Sequence, residues 1–296
     1  MPTDTSPGRI DHDRRSFRYY RNAVERHWDP HEIDLETDRE AIQDVPKPAF
    51  DGLRETLALF GAGEEAVTED LSPLGVVLED VADQLFVTTQ LYEEAKHADF
   101  FDRYWGSIIT PEEERRGLEP TAPTDERWFP DPYEELFERN EEAMHKLLLE
   151  DTPENRALAY CHYHMAIEGI LAQTGYYGVQ TNFSGEYEEL PRLPGLVEGF
   201  SRIRSDEGRH VGFGMWKLKT LVQEEGVDPG LIEETIGELA MLVQRIVGDS
   251  AEEDAIGVDD DSLVSYAAAK HHDRMAQIVD DDSELPAVEE LVALEE

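Results

Sequence analysis

Only one cysteine, Cys161, occurs in the 296 residues. That excludes an internal disulfide and any zinc or iron–sulfur site built from thiolates. A bound metal would have to be held by carboxylate and imidazole, ligands that suit iron and manganese. Lysine is nearly as scarce, at six residues, and 26 basic side chains face 68 acidic ones for a formal net charge of −42. A field of that sign repels nucleic acid and anionic membrane surfaces. The excess runs along the whole chain, which predicts a halophilic protein adapted to concentrated salt, where the screening length falls to about 3 Å at 1 M. An ordinary acidic protein with a flexible acidic end is the plainer alternative. No apolar run approaches the ~18 residues of a membrane span, and the first residues, MPTDTSPGRIDHDRR, lack the apolar core of a secretory signal. A cytoplasmic protein with no nucleic-acid partner and no membrane span is expected.

Strand-like alternation is also missing, and what remains is helical periodicity. Residues 1–47 mix charges with aromatics and read as an N-terminal segment packing on a bundle. A long helix starts near Phe50, with Leu57, Phe60, Glu64, Val67 and Leu71 at helical spacing, and Pro73 should end or kink it. Gly61 and Gly63 inside it each cost about 1 kcal/mol relative to alanine, which a close neighbour would explain. Further helices are predicted over about 77–106, 131–150, 153–178, 195–225, 229–248 and 260–277. Thr152-Pro153 and Asp228-Pro229 serve as start signals. The expectation is one all-α domain over 48–277, followed by a loose acidic end over 278–296.

On these helices sits a repeated grammar. Glu64 stands alone and is followed by Glu94 and His97 a turn apart; Glu168 stands alone and is followed by Glu207 and His210. Glu-x-x-His is a weak signal in a chain this rich in glutamate, and a third pair, Glu142 with His145, serves as a control. Its face carries Glu135, Glu138, Arg139 and Lys146, a solvated surface. The other pairs lie among apolar neighbours: Val87, Leu91, Ala98 and Phe101 around the first, Phe200, Ile203, Val211 and Gly214 around the second. A carboxylate on an apolar face costs several kcal/mol in desolvation unless it is paired or metal-bound. Lysine and arginine are too scarce to pair all four, whereas two divalent cations would neutralise them. A lone Glu and a Glu-x-x-His, twice over, is the known pattern of ferritin-like dinuclear carboxylate bundles.

Through GEEAVTED (63–70), EEAKH (93–97), YHMAIEGILAQTGYY (163–177) and SDEGRH (205–210), with WDPHEID (28–34) as an accessory match, the chain resembles the ribonucleotide reductase small subunit. Within that group it is more similar to the branch called ligand-binding oxidases. The resemblance covers roughly residues 25–215. It implies a ferritin-like helical bundle in which Glu64, Glu94 and His97 hold a first metal and Glu168, Glu207 and His210 a second, with Glu94 bridging. It further implies manganese in the first position and iron in the second, where spacing alone leaves two irons open. Asp206 would accept an imidazole N–H, and Trp28 would lie on an electron path; a surface aspartate and a core tryptophan are the plain alternatives. Val67 and Tyr163 correspond to a pair that the oxidases join by an ether cross-link, although five residues on an ideal helix put Tyr163 about 140° from Glu168, so a distorted turn or a reach across the bundle is required. Core packing is the other reading of this pair.

Two features separate the branches. Radical-forming small subunits usually carry a tyrosine four residues after the first ligand histidine, where this chain has Phe101, and they end in an aromatic-bearing tail, whereas nothing after Tyr266 is aromatic. The expected function is therefore an O2-activating Mn/Fe oxidase acting on C–H bonds of a bound fatty-acid-like ligand, with Gly169, Ala172 and Gly175 leaving room for it. A homodimer and an unidentified reductant complete the expectation. A reductase small subunit is the alternative, and an iron-storage bundle a more distant one. The interval from Glu64 to Glu94 is about a helical turn shorter than the family leads one to expect, which places the trim near Pro73 and Gly75.

Overall fold

Helix starts follow the capping chemistry. The computed structural model describes residues 10–249, 257–258, 260–279 and 285–291, with no strand among the described residues. The N-terminal segment holds α1 (Arg15–Glu25) and α2 (Glu36–Ala41). Pro48 sits in the first turn of α3 (Lys47–Asp70), and Pro73 near the start of the short α4 (Ser72–Val77). Asp80 caps α5 (Val81–Tyr104) by accepting from the Ala82 amide at 2.8 Å. After α6 (Thr110–Arg116) comes α7 (Asp131–Leu149). The Thr152 hydroxyl then caps α8 (Pro153–Tyr160), accepting from the Asn155 amide at 3.2 Å.

α8 does not simply continue to the end of its predicted span. It passes into a π-helical segment, Cys161–Ala172, and only then into α9 (Gln173–Phe183). α10 (Pro194–Glu225) ends at Gly226, whose φ of +78° is the left-handed turn that glycine adopts without strain. α11 (Pro229–Asp249), α12 (Asp260–Val279) and the short α13 (Val288–Leu291) complete the chain.

α3 packs along α5, and the π segment along α10 and α11. The N-terminal segment is tied in by Asp38 of α2, which is fully buried and accepts from the Gly195 and Leu196 amides at 2.8 Å each. A carboxylate there satisfies free N–H groups at the start of α10 and complements its dipole. α10 also presses closely on its neighbours: a Cβ on Gly214 would lie 2.3 Å from His164 Cβ of the π segment, so only glycine fits.

The apolar interior falls into two clusters. On α5, Phe86 and Val87 belong to one and Phe100 and Phe101 to the other; on α10, Val211 and Phe213 belong to the first and Phe200 and Ile203 to the second. The Glu-x-x-His pairs lie at the seam. Between Glu64 and Glu94 the chain ends α3, forms α4, which holds Pro73 and Gly75, and enters α5. The acidic end differs from the expected loose tail: residues 280–284 and 292–296 lie outside the described residues, but α13 packs on α10, Leu291 is buried and its carbonyl accepts from Arg274 at 3.2 Å.

Candidate metal centre

Four elements bring the repeated grammar to one place. Glu64 comes from α3, Glu94 and His97 from α5, Glu168 from the π segment, and Glu207 and His210 from α10. All are buried, from 7% exposed for Glu64 to 0% for both histidines. Glu64, Glu94, His97 and Glu207 offer ligand atoms within 4.8 Å of one another, and so do Glu94, Glu168, Glu207 and His210. Glu94 was expected to be shared between the two groups. Glu207 is shared as well, its oxygens lying 3.4 Å from His97 Nδ1 and 3.3 Å from His210 Nδ1. The control pair behaves as its face implied: Glu142 and His145 are exposed on α7.

Both imidazoles turn Nδ1 inward. His97 Nδ1 lies 3.5 Å from Glu64 and 3.4 Å from Glu94, and His210 Nδ1 lies 3.1 Å from Glu94 and 3.2 Å from Glu168. Their outer nitrogens face acids across the bundle. His97 Nε2 is 3.1 Å from Asp206 of α10, and His210 Nε2 is 2.9 Å from Glu93 of α5. Such an acceptor fixes the tautomer with Nε2–H outward and leaves the Nδ1 lone pair free for a metal. Both Nδ1 atoms, Glu168 Oε2 and Glu207 Oε2 are buried without a hydrogen-bond partner. Orphaned acceptors of this kind are what a cation would satisfy, so the residues present fit a metal pair.

The charges divide cleanly. Arg209 donates to both Glu93 and Asp206, and Lys96 donates to Asp206 at 2.8 Å, so two outer acids are balanced by two bases. The four inner carboxylates have no such partners, and two divalent cations would match them. In the metal-free protein protons take that part. Burial pushes Glu64 up to about 8 against the pull of His97, and burial with the Glu207 charge lifts Glu168 well above the usual carboxylate range. Burial works the same way on Glu94, but His210 and His97 more than offset it and hold it well below that range. Both histidines are raised well above their ordinary value, burial opposing and the surrounding carboxylates prevailing.

A profile of the family described as ribonucleotide reductase, small chain matches residues 10–278. The chain belongs to the ribonucleotide reductase small-chain family. Among solved structures it is similar to R2-like ligand-binding oxidase variants. One, with an anaerobically reconstituted Mn/Fe cofactor, is 30% identical over 91% of this chain and 95% of that one, at a TM-score of 0.81. Another, reconstituted aerobically, is 28% identical over the same shares, at 0.79. Against that family background Phe101 packs face to face with Phe60 and edge-on to Phe200, and offers no hydroxyl.

The π segment supplies the distortion that Tyr163 required. Its i→i+5 bonding widens each turn and narrows the angle between residues five apart, so that Tyr163 and Glu168 line the same cavity and the Tyr163 hydroxyl donates to Glu94 at 2.8 Å. Val67, Tyr163 and all four inner carboxylates line one cavity of about 240 Å³ between α3, the π segment and α9. Its walls are apolar, with Leu53, Phe60, Ile167, Leu171 and Val179, and Ala172 and Gly175 open onto it. Gly169 does not; a Cβ there would lie 2.9 Å from Arg274 Nε of α12, so this small residue makes room for an arginine rather than a ligand. Trp28 Nε1 donates to Asp206 at 2.8 Å, and its ring stacks on His97.

Sequence reasoning missed Glu93, Lys96, Arg209 and Gln90, whose side-chain amide donates to Glu168 at 2.9 Å. A signal existed for the first three. The repeat is longer than Glu-x-x-His: Glu93-Glu94-Ala95-Lys96-His97 and Asp206-Glu207-Gly208-Arg209-His210 share the order acid, Glu, small, base, His.

Proposed function

We propose that the protein is an O2-activating dinuclear Mn/Fe oxidase that carries out a two-electron oxidation at a C–H bond of an elongated, fatty-acid-like ligand. The observation that carries this reading is the set of four carboxylates lining one apolar cavity, with the orphaned Nδ1 atoms of His97 and His210 turned toward them. Glu64, Glu94 and His97 would hold manganese and Glu168, Glu207 and His210 iron, with Glu94 and Glu207 placed to serve both; two irons suit the same donors. The bound metal pair supplies O2 activation and oxidising power. The chain's own residues do the rest. Asp206 and Glu93 orient the two imidazoles, the apolar walls exclude water, and the cavity, smaller than the ~300–1,000 Å³ common for compact ligands, favours a slender chain with its carboxylate toward the metals.

Tyr163 and Val67 are assigned to the ether cross-link. A C–O bond would form between the Tyr163 phenol oxygen and Val67 Cβ as the O–H and Cβ–H bonds break, with two protons released and two electrons passed to O2. The Tyr163 hydroxyl already points at ionised Glu94, which supports this order of events. The His97–Asp206–Trp28 line is the candidate path for electrons that reduce the resting metals before O2 binds. A homodimer, a separate reductant and a habitat in concentrated salt belong to the same reading.

Loading with manganese and iron in air, followed by metal analysis and intact mass, tests it. Loss of two hydrogens mapped to Val67 and Tyr163 is the expected result. The family match also admits a reductase small subunit; an unlinked protein after full loading, together with activity alongside a large subunit, would favour that reading.

A further inference from the structure

Lys96 is one of six lysines in the chain, yet it is buried at 5% exposure. Its ammonium donates to Asp206 Oδ2 at 2.8 Å and sits 4.5 Å from the centroid of the Trp28 ring. Asp206 does not lack donors without it. Trp28 Nε1 and His97 Nε2 share the same oxygen, and Arg209 binds the other. What Lys96 adds is a positive charge over an indole that stacks on a candidate metal ligand, at 6.2 Å between ring centroids.

A cation over a neutral indole is attracted by the negative face of the ring. Once the indole loses an electron the ring is positive, and the same contact becomes repulsive. Both groups are buried, so screening is weak. Arg209 fills the equivalent place in the other half of the repeat, but its contacts are Glu93, Asp206, Asn22 and the Ser205 carbonyl, with no ring face recorded for it among the described residues. The base above an aromatic ring is therefore particular to the Trp28 side.

We propose that Lys96 is an electrostatic guard on Trp28, which keeps oxidising equivalents from leaving the metal centre through the indole and so reserves them for the ligand in the cavity. The proposal rests on the oxidase reading. The reaction it suppresses is loss of one electron from the indole to the O2-derived oxidant, giving an indole radical cation. That cation then adds water and gives up a second electron and two protons to end as hydroxytryptophan.

The test uses full-length protein loaded with manganese and iron and exposed to O2, with peptide mass mapping of Trp28 and freeze-quenched electron paramagnetic resonance as readouts. Lys96→Gln keeps a donor for Asp206 and removes the charge; Lys96→Arg keeps the charge. Expected are at least a tenfold rise in Trp28 hydroxylation per O2 consumed and a new indole-type radical signal in Lys96→Gln, with Lys96→Arg close to the wild type. Lys96→Met gives the same readout where Lys96→Gln fails to take up metal. Equal Trp28 oxidation in wild type and the neutral variants, at equal O2 consumption, overturns the guard alone, as does an equal rise in Lys96→Arg. Wild-type protein that takes up both metals and consumes no O2 overturns the oxidase reading and the guard with it.

Discussion

Glu93 offers the sharpest test of how the centre is held. Its carboxylate binds fully buried Arg209 and accepts from His210 Nε2 at 2.9 Å. Glu93→Gln keeps the size and one acceptor but removes the charge. Among the described residues Arg209 then keeps Asp206 as its one acidic partner, which Lys96 already shares, beside the neutral Asn22 and Ser205 carbonyl acceptors. Removing one partner of a buried ion pair costs about 3–5 kcal/mol, and the surviving Asp206 places this case near the lower end, about 3 kcal/mol. For a chain of this size each kcal/mol shifts Tm by about 2 °C, so thermal unfolding of the metal-free variant should come about 6 °C earlier. Because Glu93 orients His210 and not His97, metal affinity at the Glu168–Glu207–His210 position should fall about 10–100-fold, with the other position affected less. Asp206→Asn should reverse that preference. Calorimetry and metal titration read both quantities. An unchanged Tm, or equal losses at the two positions, would refute the crossed pairing of acids and imidazoles.

Metal loading should release protons at neutral pH. Glu64 holds its proton up to about pH 8 in the metal-free protein, so binding must expel it below that value. Affinity therefore rises with pH from 6 through 8, with Glu168 and the two histidines adding to the protons expelled, which titration calorimetry in buffers of different ionisation heat would detect; no proton release at pH 7 would sink the assignment. Tyr163→Phe should take up both metals yet show no loss of two hydrogens by intact mass, and a persisting loss would show that the link involves another residue. Ala172→Leu should fill the cavity and abolish co-purification of a long-chain ligand, read by mass spectrometry of extracts, whereas Gly169→Ala should act on stability through Arg274 and spare ligand retention. Thermal stability should climb with KCl toward molar concentrations as a charge of −42 is screened; a flat response would remove the halophilic reading.

Much of this architecture can be read from residues whose physics is local. Thr152-Pro153 and Asp228-Pro229 mark helix starts, and Pro73 the end of α3, by chemistry that needs no tertiary partner, and an apolar face around a glutamate is visible along a single helix. What stayed hidden depends on relations between elements. Glu93 is one acid beside another in an acid-rich chain, and only the facing α10 gives it a role. Gly169 was read as space for a ligand because a small side chain shows that something comes close without saying what, and here it is Arg274. The double sharing of Glu207 follows from the distance between His97 and His210, which spacing within either helix does not contain. The docking of α13 rests on Leu291 finding a place on the bundle.

The π segment shows why the two chemical tasks of this centre fall on one stretch. In an α-helix, Glu168 could face the other carboxylates only with Tyr163 turned about 140° away, and the phenol would then be spent on packing. Bonding to the fifth residue widens the turn and brings the pair toward one face, at the cost of a helix form that is rarely stable over several turns. The segment is apolar on nearly every side, from Cys161 to Ile170, and is buried between α10 and α11, so tertiary contacts rather than local hydrogen-bond geometry hold it. That same all-round burial erases the periodicity by which a helix announces its pitch. The distortion that aims Tyr163 at Glu94 was therefore legible only as a mismatch: two side chains that chemistry wanted on one face and an ideal helix kept apart.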